Sequence, residues 1–221
     1  MMETPDLEDR DTVVRAFDVS RETLQRLDVI EALLREWVEI HNLVGPRELG
    51  VLWPRHMADS LQLCGFLGPA KRIVDLGSGA GFPGLIIAAA LPGVEDVTLI
   101  ESVGKKCQFL QAAVEAADLP ATVLQSRIET VDQGAHPADA VTARALAPLP
   151  KLLNLASPWL ENGAIGVFPK GQKWQEELTA AREQWTFAAE VEASRTSPAA
   201  RILKLSEVRG NHDHDTYSGD R

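Results

Sequence analysis

The chain has 221 residues, of which 45% are hydrophobic and 24% charged, enough for one core with an appendage and too apolar for disorder throughout. Its 22 Lys and Arg stand against 32 Asp and Glu, a net charge of -10, which excludes a general electrostatic coat for nucleic acid; any such partner needs a local basic patch. Two cysteines, an acidic N-terminus and no apolar run approaching ~18 residues exclude a disulfide framework, a signal peptide and a spanning helix, so a cytoplasmic protein with no membrane partner is expected.

In chain order, residues 1–19 are polar and without sustained periodicity, and are expected to be a flexible leader. Ser20, followed by Glu22 and Thr23, has the form of a helix start, and Leu24, Leu27, Ile30, Leu33, Leu34, Trp37, Val38 and Ile40 then recur at three- and four-residue spacing. Gly45, Pro46 and Gly50 break the pattern, and a shorter helix carrying Met57, Leu61 and Leu63 ends near Gly65. Residues 20–68 form a helical N-terminal extension, too small to bury a core alone. From residue 69 short apolar strands alternate with amphipathic helices. Strands are expected at 72–76, 96–101, 121–125, 139–143, 164–168, 186–194 and 200–206, and helices at 85–91, 107–117, 149–159 and 174–183. That alternation implies an α/β fold, a doubly wound and mostly parallel sheet with helices on both faces, over residues 69–209. Residues 210–221 are polar and are expected to be a disordered tail.

The most informative stretch is Asp75-Leu76-Gly77-Ser78-Gly79-Ala80-Gly81-Phe82-Pro83-Gly84, placed where a strand ends and a helix begins, the crevice position for ligands in such folds. Glycines permit a tight turn and close backbone approach. Gly79-x-Gly81-x-x-Gly84 fits the dinucleotide fingerprint, so a nicotinamide enzyme competes. Against it, Asp75 two residues before the first glycine makes D-x-G-x-G-x-G, a signature of S-adenosylmethionine (SAM) enzymes. The lone tyrosine, Tyr217, also has no place in a Tyr-x-x-x-Lys pair. In either case Glu101, at the end of the second strand, can accept hydrogen bonds from both hydroxyls of a ribose. Ile128 and Glu129 leave the third strand at the same edge, where they can meet an adenine.

Further motifs join the loop: Arg55-His56-x-x-Asp59-Ser60-Leu61, Glu101-Ser102-x-Gly104-Lys105-Lys106-x-x-Phe109-Leu110, Gln125-Ser126-Arg127-Ile128-Glu129, Ala143-Arg144-Ala145-x-Ala147-x-Leu149 and Lys170-Gly171. In this order, over about residues 20–205, the chain resembles the ribosomal RNA small subunit methyltransferase G family, formerly called glucose-inhibited division protein B. The resemblance implies a Rossmann-like sheet of seven strands and SAM as cofactor, with S-adenosylhomocysteine as product. It implies N7 of a guanine in the 530 loop of 16S rRNA as the methyl acceptor, on the small ribosomal subunit; separately, no DNA partner and a monomer are expected. It also implies that Gly77, Phe82, Ile128, Glu129 and Arg144 line the cofactor site with Glu101 on the ribose, beside the loop residues Asp75, Ser78, Gly79 and Gly81.

Guanine N7 carries an exposed lone pair and no proton at neutral pH, so alignment rather than a general base is what the transfer needs. The sequence agrees: no Pro-Cys nucleophile and no Asn/Asp-Pro-Pro-Tyr/Phe segment is present, and no residue stands out as a base. Arg144 and Lys170, beyond the fourth and fifth strands, are the candidates for positioning the target, with the guanine, a phosphate and the methionine carboxylate left open as their ligands. Arg47, Arg55, Lys71, Arg72, Lys105 and Lys106 are candidate phosphate contacts, each with solvated surface as the plainer alternative. His56 is read as a packing or capping residue, Asp59-Ser60 as an anchor of the extension, and the five tryptophans as core. His212-Asp213-His214-Asp215 has chelating side chains but no fixed geometry, so no metal is expected.

Overall fold

The computed structural model describes residues 7–41, Gly45 and residues 48–211. Arg47, the His/Asp tail motif and Tyr217 lie outside the described residues. The chain opens with α1 (Arg10–Ala16) and α2 (Arg21–His41), passes through a 3-10 turn (Glu48–Val51) and a π-helical stretch (Leu52–Met57), and continues into α3 (Ala58–Leu61) and α4 (Cys64–Leu67). Then follow β1 (Arg72–Leu76), α5 (Gly84–Ala90), β2 (Asp96–Glu101), α6 (Gly104–Ala116), β3 (Ala121–Gln125), β4 (Ala140–Thr142), α7 (Leu149–Leu160), β5 (Ile165–Lys170), α8 (Trp174–Arg182), β6 (Trp185–Ala193) and β7 (Arg201–Gly210).

One sheet of seven strands runs β3-β2-β1-β4-β5-β7-β6. The first five are mutually parallel, and β7 lies antiparallel between β5 and β6. The doubly wound expectation holds, and the order reverses beside β1, opening a crevice at its C-terminal end. Two apolar clusters fill the two faces. One joins Val13, Leu27, Ile30 and Leu34 of the extension to Leu85, Ile86 and Ile87 of α5 and to Phe109 and Leu110 of α6. The other packs Leu152, Leu153, Ala156 and Trp159 of α7 onto β4, β5 and β7. α5 is apolar on nearly every side because the sheet covers one flank and the extension the other. No helix of the described residues is long and apolar enough to cross a membrane.

The local signals act as their chemistry requires. Ser20 Oγ accepts from Thr23 N–H at 3.1 Å, capping α2. The stretch assigned to a leader differs: residues 10–16 form α1, capped by Asp9 and Thr12, with Val13 fully buried and Arg10 forked onto Asp28, Nε to Oδ1 at 3.0 Å and Nη2 to Oδ2 at 2.7 Å. One buried side chain in seven residues leaves no periodicity to find. The shorter helix of the extension is divided into three pieces, the π-helical Leu52–Met57 running directly into α3 and a break at Gln62 and Leu63 separating α3 from α4. β7 runs past its expected end at 206, because a bulge at Glu207 (φ +54°) and Ala188 interrupts the alternation that would have marked it. Trp53, Trp159 and Trp185 are buried, Trp37 packs edge-on against Phe109, and Trp174 lies beneath Arg201.

Candidate active site

β1 delivers the chain to the glycine turn with Asp75 fully buried. Its Oδ2 accepts from Gly84 N–H at 3.2 Å and its Oδ1 from Thr142 Oγ at 3.1 Å, so one carboxylate ties the start of α5 to β4. Burial pushes its pKa up to about 6, against the hydrogen bonds and the charge of Arg144. Gly77, Gly79 and Gly81 all take positive φ. A Cβ on Gly81 would lie 2.2 Å from Leu85 and one on Gly84 2.3 Å from Leu99, so these two serve close packing of the turn. Gly79 is the exception: nothing lies within 3.8 Å of its missing Cβ, which faces open space.

That space is a cavity of about 380 Å³ lined by Gly77, Gly79, Glu101, Ile128, Glu129 and Arg144, with Ser102, Lys106, Ser126, Arg127 and Leu146. Glu101 is held firmly: Oε1 accepts from Ser102 and Val103 N–H, each at 2.8 Å, and Oε2 from Gly79 N–H at 3.0 Å. A carboxylate has about four acceptor positions, so it retains capacity for a further donor. Four of the residues nominated for the cofactor do not line this cavity. Asp75 and Ser78 are buried behind the turn, Ser78 Oγ donating to Asp75 O at 3.1 Å; Gly81 packs on Leu85; and Phe82 lies under His56 and Arg144. Their contacts are within and behind the turn. Arg127 and Lys106, by contrast, bring positive charge to the cavity. Arg127 carries no signal of its own in the sequence, and Lys106 reads there as a phosphate contact.

A second cavity, about 620 Å³, opens above the ends of β4 and β5. Arg144, Ala145 and Leu146 line both, forming a common wall. Ala145 there has φ +54°, a conformation a non-glycine residue adopts only where its surroundings impose it. Arg55, His56 and Asp59 enter the larger cavity from the extension, Lys170 and Gly171 from β5 and the residue after it, and Glu177 from α8. Arg144 Nη2 donates to His56 Nδ1 at 2.6 Å, its Nη1 lies 3.6 Å from Asp59 Oδ2, and its Cζ is 5.4 Å from the centre of the Phe82 ring. Lys170 is buried, and its ammonium donates to Ala147 O at 2.8 Å and pairs with Glu177 at 3.0 Å. Burial lowers its pKa, and Glu177 opposes that. Glu177 in turn accepts from Leu149 N–H at 2.8 Å, the start of α7. Much of the capacity of Lys170 is therefore spent inside the protein, a commitment no motif discloses. Lys71, Arg72 and Lys105 line neither cavity; Lys71 pairs with Glu95 and Arg72 with Asp139.

Residues 23–203 match the family model described as rRNA small subunit methyltransferase G. The chain belongs to that family. Curated relatives are similar over nearly their whole length. The Ribosomal RNA small subunit methyltransferase G of Hyphomonas neptunium is 53% identical over 206 residues, 93% of this chain and 98% of that one. The same-named protein of a Methylobacterium species is 49% identical over 205 residues, 90% of this chain and 96% of that one. Among solved structures, an O-methyltransferase from Bacillus cereus in complex with S-adenosylhomocysteine shares the fold at a TM-score of 0.54 and 14% identity, covering 89% of this chain and 96% of that chain. The family is one of methyltransferases, so the nicotinamide reading of the glycine loop falls. SAM fits the smaller cavity: its volume is of the size ligand pockets have, Gly79 leaves room against the backbone, and Glu101 is aimed and incompletely saturated.

Proposed function

We propose that this chain transfers the methyl group of SAM to N7 of a guanine in the 530 loop of 16S rRNA, acting in the cytoplasm as a monomer on the small ribosomal subunit. That it is a SAM-dependent rRNA methyltransferase follows from the family to which it belongs. The observation that carries the finer reading is the common wall of the two cavities: the smaller suits an adenosyl donor, and the larger, one wall away, suits a purine.

In this reading Glu101 takes the ribose hydroxyls, Ile128 and Glu129 meet the adenine, and Gly77 and Gly79 let the ligand approach the backbone. When bound, SAM would supply a methyl on a positively charged sulfur, which an aligned N7 lone pair could take. No proton leaves N7, so none of the larger cavity's residues has to act as a base. The groups there that could accept one are already engaged: His56 by Arg144 and Glu48, Asp59 by Thr196 and Gln62, and Glu177 by Lys170 and Leu149. An Arg fork spanning O6 and N7 would cover the attacking lone pair, so Arg144 serves by reaching O6 alone and leaving N7 free. Alignment of this kind can contribute on the order of 7–11 kcal/mol to a bimolecular transfer.

The test is incubation with SAM and small ribosomal subunits lacking the modification, followed by mapping of methylated bases. One N7-methylguanine in the 530 loop is expected. Methylation of an exocyclic nitrogen, or at another site, would overturn the reading.

A further inference from the structure

His56 has both ring nitrogens committed to charged partners, which packing alone does not require. A guanidinium can only donate, so the 2.6 Å contact with Arg144 Nη2 makes His56 Nδ1 the bare acceptor. The proton therefore sits on Nε2, which donates to Glu48 Oε2 at 2.8 Å. Phe82 stacks under the imidazole, with ring centres 5.2 Å apart, and under the guanidinium as well. Asp59, 3.6 Å away, gives Arg144 charge rather than direction, because that distance exceeds an ordinary hydrogen bond.

We infer that His56 of the N-terminal extension is a positioning residue for Arg144, its bare Nδ1 fixing the guanidinium in the wall between the two cavities. This rests on the two-cavity reading of function given above. The extension then does more than cover α5: it carries the acceptor that aims the cation which, among the described residues, both cavities share, with Glu48 holding the imidazole in the right tautomer. Protonation reverses the contact, since an imidazolium sets N–H against N–H at Nδ1. The charged groups facing His56 are Glu48 from the preceding 3-10 turn, Arg55 beside it and Arg144 from beyond β4; Asp59 and Asp75 face Arg144. Burial and then Arg144 lower the pKa of His56, and Glu48 opposes them, so the acceptor form prevails at neutral pH.

The experiment is a single-turnover methylation of small ribosomal subunits by the full chain across pH, with calorimetric SAM binding and thermal melting of every variant. In the wild type, transfer should fall at acid pH as His56 protonates. His56→Ala should slow transfer at neutral pH by about tenfold or more, since a displacement of ~1 Å in an aligned group can cost on the order of 100-fold. The same change should cost nothing further in an Arg144→Ala background, and the acid limb should vanish. Glu48→Gln, at a partly exposed side chain, should move the acid limb to lower pH by removing a carboxylate that favours the imidazolium; this variant decides the matter if His56→Ala does not fold. Additive losses in the double variant, or an acid limb unmoved by these changes, would overturn the inference while leaving the function intact. A wild-type chain that binds no SAM and methylates no rRNA would instead overturn the functional reading beneath it.

Discussion

Gly79 and Gly81 are two residues apart and carry different burdens. The missing side chain of Gly81 is filled by Leu85, whereas that of Gly79 borders the cavity proposed for SAM. Gly79→Asp should therefore fold, because Asp tolerates a left-handed backbone better than most residues, and should abolish SAM binding by placing bulk and negative charge in the cavity. Calorimetry with SAM beside a thermal melt checks this; unchanged affinity would exclude the cavity. The spacing of the glycines marks the turn in the sequence, but it does not distinguish a glycine kept for packing from one kept for a ligand. The same holds for Asp75, which the motif suggests as a cofactor contact and the fold buries behind the turn, on Gly84 and Thr142.

At the scale of elements, the extension and the β6–β7 connection are joined by a buried polar cluster. Gln62 Oε1 accepts from Arg195 N–H at 3.0 Å, its Nε2 donates to Ser194 Oγ at 3.3 Å, and Thr196 donates to Asp59. Asp59 thus anchors the extension, as its motif suggests, but to a loop 137 residues away that no local pattern identifies. Gln62→Ala would strand the Arg195 amide and should cost about 1–3 kcal/mol in denaturant unfolding. Hydrogen exchange should then rise together in α3 and in residues 194–196. A rise in one of them alone would show that the cluster does not couple the two elements. The strands β1 to β5 were legible because each is a short apolar run between turn signals. α1 and the end of β7 were not, since one has a single buried residue and the other a bulge.

For the whole molecule, acidity and pH set the working limits. Asp75 titrates near 6 when folded and at about 3.8 in an unfolded chain, so the folded state binds the extra proton between these values. Stability from this group is present below pH 3.8 and is lost as pH rises through 6. His56 shifts the other way: its lowered pKa means that the unfolded chain binds more protons just below pH 6.5, so stability from that group rises with pH there. Urea unfolding as a function of pH should show the Asp75 decline in the wild type and lose it in Asp75→Asn, where Gly84 and Thr142 keep a neutral partner. An identical slope in the two proteins would mean that Asp75 is not the titrating group.

The alternation of apolar strands with amphipathic helices determined the doubly wound sheet by itself. The D-x-G-x-G-x-G turn marked the crevice where the ligand is proposed to sit, because both are consequences of short-range geometry written in neighbouring residues. Which side chains share a cavity was decided by the tertiary structure. His56 and Arg144 are 88 residues apart, and Lys170 is drawn inward by Glu177 and a carbonyl of the preceding loop. Contacts of that kind arise only when the sheet brings the ends of β4 and β5 beneath the extension, and nothing local in the chain encodes the distance between them.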